Sequence, residues 1–314
     1  SGIVKTNNTS LFYNKINNEP MLQDALSNGF NYTENINAAY INLNRKIGDW
    51  TVQAGLRAES TNYEGRQASY TGQKDSSFTG SFINLFPTAF ISYELNEKNQ
   101  FGLSIGRRVD RSAYQQLNPF TAYIDKYIRM AGNPYLQPQF SNDIELSHTY
   151  KNTFTTTLND SVIYGMMNET LTCQDSVIIR SVGNIGSRYN FGISESATIP
   201  FTKWYTGIFY ANLYYNKYVG EVNGYPLNAG QLALSLNFNN QFSFQNGCSA
   251  ELSGIYTTRD RDEGQALSLP IGQVSAGGSK QLMNNKASLK FNVRDIFYTQ
   301  PSGKFKTSRM CSQQ

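Results

Sequence analysis

The sequence predicts an all-β fold, an antiparallel transmembrane β-barrel, and three observations carry that prediction. The first is alternation. Leu232, Leu234, Leu236, Phe238, Phe242 and Phe244 occupy every second position, broken only at Asn240, with Ala233, Ser235, Asn237, Asn239, Gln241 and Ser243 between them. A period of two marks a strand whose faces meet different surroundings. This stretch is far longer than the ~5–6 residues usual for a strand in a soluble sheet. The second observation is parity across turns. A three-residue loop Gln245-Asn246-Gly247, with Gly247 left-handed, pairs Phe244 with Cys248 and Phe242 with Ala250 and gathers the apolar residues on one side. A two-residue Asn-Gly loop would mix the faces. The third is composition: 13% aromatic residues and 16% charged ones, against ~25% charged in an ordinary soluble domain.

Taken along the chain, the strands justify themselves in the same way. Trp50, Val52, Ala54, Leu56 and Ala58 alternate with Thr51, Gln53, Gly55, Arg57 and Glu59, and the charges on the second face suit a wet lumen. Ile144, Leu146, His148 and Tyr150 lead over a three-residue loop to Phe154, Thr156 and Leu158. Tyr205, Gly207, Phe209, Ala211, Leu213 and Tyr215 share one face opposite Thr206, Tyr210, Asn212 and Tyr214. Aromatics at strand ends, such as Trp50, Trp204, Tyr215 and Tyr256, fit interfacial girdles. Glu195 and Asp160 fall on apolar faces by parity, and Pro87 interrupts a strand; a rim or a bulge would lower the cost of each. The count comes to roughly 13 strands.

The connections fall into two classes. Short polar turns are expected at Asn96–Gln100, Lys151-Asn152-Thr153, Thr202-Lys203-Trp204, Gln245–Gly247 and Asn284-Asn285. Longer irregular connections are expected near 8–33, 65–80, 111–137, 168–176, 221–228 and 260–267. Short turns at one end and long loops at the other are the layout of an outer-membrane barrel. The sequence divides into a barrel portion, 1–299, and an irregular polar tail, 300–314, whose PSGKFKTSRMCSQQ has no alternation. Unpaired edges are untenable in lipid, so further strands are expected from sequence outside this chain. The start, SGIVKTNNTS, is no signal peptide.

Other classes find little support. No apolar run reaches the ~18 residues of a membrane helix, although a strand crosses with about 9–11. A net charge of +4 without a dense basic patch argues against nucleic acid. Cys173, Cys248 and Cys311 are widely spaced and read as incidental, neither a metal site nor a disulfide framework. His148, the sole histidine, lies on an apolar face and reads as belt or packing. With no GxSxG and no histidine beside a nucleophile, no catalytic residue, metal or cofactor is expected.

From Leu85 to Leu146 the chain reads LFPTAFISYELNEKNQFGLSIGRRVDRSAYQQLNPFTAYIDKYIRMAGNPYLQPQFSNDIEL. LFPTAF, the Arg107-Arg108 pair, SAYQQLNPF and GNPYLQPQF match in order and spacing the barrel signature of Bacteroidota TonB-dependent receptors. ENINAAYINLNRKIGDWTVQAGLRAE and KFNVRDIF resemble flanking parts, so the resemblance runs to about residue 299. It implies a barrel of roughly 22 strands occluded by an N-terminal plug. The implied partners are outer-membrane lipid, the plug and remaining strands of a parent protein, a TonB energising complex acting through that plug, and a surface lipoprotein. The plug, the TonB-contacting segment and the last strands have no counterpart in these residues.

The resulting expectation is the barrel portion of a receptor that takes up a glycan, peptide or metal chelate. The alternatives are a passive channel or structural barrel, and a soluble carbohydrate-binding meander. Ligand capture is expected in the 111–137 loop through Tyr114, Phe120, Tyr123, Tyr127 and Tyr135 with Arg111, Asp125 and Arg129, since aromatic faces and charges together grip polar ligands. The competing reading is that Asn118-Pro119-Phe120 and Gly132-Asn133-Pro134 only fold the loop onto the rim. Arg57, Glu59, Glu94 and Arg108 are expected to face the lumen, where they steer ligand, hold a plug or form plain cross-strand pairs.

Overall fold

The computed structural model describes residues 2–23, 27–69, 76–174, 176–262, 264–284 and 286–299. Its frame is one antiparallel sheet of 13 strands in sequence order, each paired with the next. These are β1 (Gly2–Ser10), β2 (Asn28–Ile47), β3 (Trp50–Ser69), β4 (Ser76–Asn96), β5 (Asn99–Asp110), β6 (Gln139–Tyr150) and β7 (Phe154–Tyr164). They continue as β8 (Gly186–Thr202), β9 (Tyr205–Val222), β10 (Tyr225–Ser243), β11 (Cys248–Thr257), β12 (Ile271–Leu282) and β13 (Ala287–Val293). The sheet is open, with β1 and β13 at its edges. The 300–314 tail lies outside the described residues.

Register turns the alternation into two surfaces. Val52, Ile91, Leu103, Leu146, Leu158, Ile193, Leu213 and Leu234 are successive cross-strand partners from β3 to β10. The neighbouring row reads Ser92, Gly102, Ser147, Thr157, Ser194, Asn212, Ser235 and Thr257. A continuous aliphatic surface this broad has to be covered, and hydrocarbon covers it without competing for the saturated backbone ladder. Near the short turns the apolar face becomes aromatic. Trp50 stacks on Tyr93 at 4.4 Å and Phe101 on His148 at 4.7 Å, while Tyr205 lies between Phe201 and Phe242 at 4.8 and 4.9 Å.

The predicted turns hold at the Gln245–Gly247 and Lys151–Thr153 loops. Phe242 pairs with Ala250, and Phe244 N donates to Cys248 O at 2.9 Å. Gly247 takes φ of 69°, and a Cβ there would stand 2.8 Å from Gln281 Cβ, so the three-residue loop requires glycine. Tyr150 pairs with Phe154 around Lys151-Asn152-Thr153. Glu195 sits beside Thr156, which donates to it at 2.5 Å two residues above that turn, so it does lie towards a rim. Asp160 instead faces Ile144 and Phe191 in an unbroken register, with no bulge. Pro87 sits where one ladder stops: β4 pairs with β5 only from Thr88 downward, so on that side the missing N–H interrupts no ladder.

The long connections differ from expectation. Strand β1 and the hairpin Tyr13–Ile16/Glu19–Leu22 fill much of 8–33, and β2 begins at Asn28. In 65–80 the strands continue to Ser69 and resume at Ser76. At 168–176 the chain makes the hairpin Met167–Gln174/Val177–Asn184. Strands β9 and β10 meet at a two-residue Asn223-Gly224 turn with φ of 52° and 82°, a left-handed pair suited to a tight hairpin. Residues 260–262 pair with 266–268. The physical reason is that backbone pairing continues past the hydrocarbon, while the hydrophobic alternation stops where both faces meet water. Cys173 is disulfide-bonded, against the expectation of three incidental cysteines, and Cys248 is free.

Candidate functional site

The long connections fold over the polar face of the wall, and this creates the site. In the 111–137 segment a helical turn, Tyr114–Leu117, is followed by the short strands Thr121–Tyr123 and Ile128–Ala131. Leu117 and Leu136 are buried against Phe30 and Tyr32, with Tyr114, Tyr63 and Phe78 around them. Phe30 and Tyr32 share the face of β2 that carries Tyr40 and Asn42, so the segment packs on the polar side. Ile128–Met130 then pairs in parallel with Ile178–Arg180, which joins two loops into one four-stranded sheet. An Arg180–Glu169 ion pair crosses that sheet, and hydrogen bonding to the carboxylate raises the arginine's pKa. Further along, Tyr214 donates to Asp260 at 2.7 Å and Tyr218 to the Arg261 carbonyl at 3.0 Å. These contacts hold the 260–268 hairpin above a polar cleft of about 790 Å³.

The predicted loop residues divide into groups. Arg129 stands over the Tyr123 ring at 4.9 Å, and Phe12 meets that ring at 6.2 Å. Asp125 accepts from the Tyr127 and Ile128 amides at 2.7 and 2.8 Å, so one of its oxygens shapes the turn. The Phe120 amide is held by Asn118 Oδ1 at 3.2 Å. Tyr127 and Tyr135 stand out in solvent, 66% and 81% exposed. Tyr114 packs inward.

Arg111 leaves the loop group and joins the lumenal charges. It donates to Glu59 at 2.6 Å and lies 3.8 Å from Glu34, while Arg57 also pairs with Glu59. Glu59 is only 1% exposed, with Thr61 3.5 Å from the same guanidinium. Arg57 also stacks over Phe86 at 5.8 Å. Arg108 faces the same space and has no ion pair among the described residues, whereas Glu94 sits far below, near Lys46 at 3.8 Å. Sequence reasoning missed Glu34, Thr61, Phe30 and Tyr32. The period-two spacing of Phe30, Tyr32 and Glu34 with Ile36 and Tyr40 was the available signal, hidden for Phe30 and Tyr32 by placing 8–33 in a loop, while Thr61 continues the row of Arg57 and Glu59 on β3.

The arrangement is a wall of hydroxyls and amides, with charged groups in its upper half and inward-folded loops that narrow the way to it. Comparison with solved structures agrees with the fold. The copper transporter OprC superposes with a TM-score of 0.63 at 12% identity, over 94% of this chain and 49% of that one. The siderophore receptor PiuA from Acinetobacter baumannii gives 0.61 at 10% identity, over 88% and 40%. The siderophore receptor PirA from Pseudomonas aeruginosa gives 0.57 at 12%, over 94% and 61%. The chain thus spans less than two thirds of each. No curated protein matches it by sequence. The model of the outer membrane protein beta-barrel family matches residues 1–311. A two-faced, 13-stranded antiparallel sheet and that match lead to one conclusion: the chain belongs to the outer membrane protein beta-barrel family and resides in the outer membrane.

Proposed function

We propose that this chain is the barrel portion of a TonB-dependent receptor of the Bacteroidota type, moving a nutrient across the outer membrane without altering it chemically. The observation that carries this reading is the inward folding of the 111–137 and 260–268 segments onto the polar face. Loops packed on the wall narrow the lumen, and here they also carry aromatic and charged side chains at its mouth. A receptor needs ligand-holding groups at the mouth and a gated lumen beneath them. Likeness to siderophore and copper transporters supports the architecture but leaves the cargo open among metal chelates, peptides and glycans. In this reading a plug and further strands complete the barrel to roughly 22 strands, the energising complex pulls the plug, and a surface lipoprotein assists capture.

The test uses the whole protein in its native membrane. Cells are offered a labelled ferric chelate, an oligopeptide mixture and an oligosaccharide mixture, with and without a protonophore. Uptake of one class that stops when the proton gradient collapses supports the reading. A steady open conductance of the whole protein in planar bilayers, with uptake indifferent to the protonophore, refutes it in favour of a passive channel.

A further inference from the structure

Where β4 parts from β5, the wall forms a recess. Pairing between these strands runs from Asn96–Asn99 up to Thr88–Gly106 and stops there, although β5 continues to Asp110 and β4 continues to Ser76. Above that point the edge of β5 facing β4 has no strand beside it among the described residues. A space of about 580 Å³ opens on the polar side, lined by Tyr40, Asn42, Arg57, Phe86, Arg108 and Arg111 among others.

Charge is unbalanced in this recess. Four arginines line it, Arg57, Arg107, Arg108 and Arg111; Arg107 stacks over Phe140 at 5.0 Å, and Arg57 and Arg111 share two carboxylates, Glu59 and Glu34. Both carboxylates are engaged with Arg57 or Arg111, and Arg108 makes no ion pair among the described residues. The nearest acid on β6 is committed elsewhere: Asp143 accepts from Ser141 at 3.2 Å and from Ser161 at 2.5 Å. Arg57 is already oriented, held by Glu59 and stacked on Phe86. A planar guanidinium presents its donors as a fork that matches carboxylate or phosphate oxygens two at a time. Phe86, 6% exposed, supplies an apolar wall beneath Arg57 that strengthens such contacts.

We propose that this recess binds a carboxylate or phosphate group of the transported ligand, with Arg108 as the primary donor and Arg57 as the second. The inference rests on the receptor reading above and narrows its cargo to anionic molecules. The recess lies on the face over which the 111–137 segment folds, and Arg111 runs directly into that segment, so a ligand released by the loops meets it first. An acidic side chain of a plug offers similar chemistry, but it would hold the arginines permanently; the test separates the two.

Purified whole protein in detergent is titrated calorimetrically with citrate and, separately, inorganic phosphate, with glucose as the neutral control. Citrate is expected to bind and glucose not. Arg108→Gln is expected to weaken citrate about tenfold, the loss of one charge-assisted contact, and Arg108→Lys by less. Arg66→Gln, which lies outside the recess, should leave affinity unchanged. Raising salt should weaken binding further. Equal citrate affinity in wild type and Arg108→Gln overturns the proposal. So does an absence of citrate binding with residue 108 cross-linking to the plug, because the arginines then belong to a protein contact. If energised uptake persists through either negative result, the receptor reading stands and only the anion site falls. If uptake is not energised, that reading fails whatever citrate does.

Discussion

The Glu59–Arg111 contact offers the sharpest test of how the upper wall holds its loop. Glu59 is 1% exposed and receives Arg111 at 2.6 Å, while Glu34, the other carboxylate paired with Arg111 among the described residues, is 3.8 Å away. Glu59→Gln removes the charge and keeps the shape. Removing one member of a buried pair costs about 3–5 kcal/mol. Here Arg111 is 24% exposed and keeps Glu34, so a value of about 2–3 kcal/mol follows from the same rule. Because Arg111 begins the 111–137 segment, that loss favours local detachment of the segment over global unfolding. At ~1.4 kcal/mol per decade, the open population rises roughly 30- to 140-fold. The assay is limited proteolysis of whole protein in vesicles, reading cleavage within 111–137 under conditions where opening is fast. If Glu59→Gln is cleaved there at the wild-type rate while Leu117→Ala, which hollows the adjoining apolar cluster, is cleaved faster, the ion pair does not anchor the segment and the reasoning fails.

Three further outcomes follow from the frame. Leu213→Arg should lower folding stability by about 2–4 kcal/mol, and Asn212→Arg, one residue along on the lumenal face, by far less; urea titration in vesicles, read by the gel shift between folded and heated protein, compares them, and equal losses would contradict the assigned faces. Spin labels at Leu234 and Ser235 should differ in reconstituted bilayers, with lipid-soluble oxygen reaching the first preferentially. Gly186→Ala should destabilise the upper ends of β8 and β9, because a Cβ there would lie 2.2 Å from the Val219 carbonyl at φ of 135°; faster amide exchange near Ile185 and Tyr218 would show it, and unchanged exchange would count against the close approach.

Much of the fold was legible because hydrocarbon imposes a rule on every second residue. Leu213 opposite Leu234 and Ser235 opposite Asn212 follow from that rule alone. Turn parity fixed the Phe242–Ala250 register in the same way. The rule weakens above the membrane. Strands there continue as Tyr32-Thr33-Glu34 or Val219-Gly220-Glu221, with mixed faces that read as loop. The site was half legible for the same reason. Arg57 and Glu59 declared their face by parity, but Arg111, the second partner of Glu59, lies 52 residues away in a region read as a connection, and Glu34, which Arg111 also approaches, lies on β2. No local pattern brings them together; only the inward fold of the segment does.

The parting of β4 from β5 above Pro87 has a mechanical meaning. Below it the wall is a continuous fabric of backbone bonds; above it lies a slit, so deformation of the mouth concentrates along that line. Arg111 leaves the end of β5 and grips Glu59 on β3 and Glu34 on β2, so one side chain acts as a clasp across the slit. The widening of this entrance is therefore resisted by the Arg111 clasp and by the apolar packing of the 111–137 segment on β2 rather than by a ladder of peptide bonds.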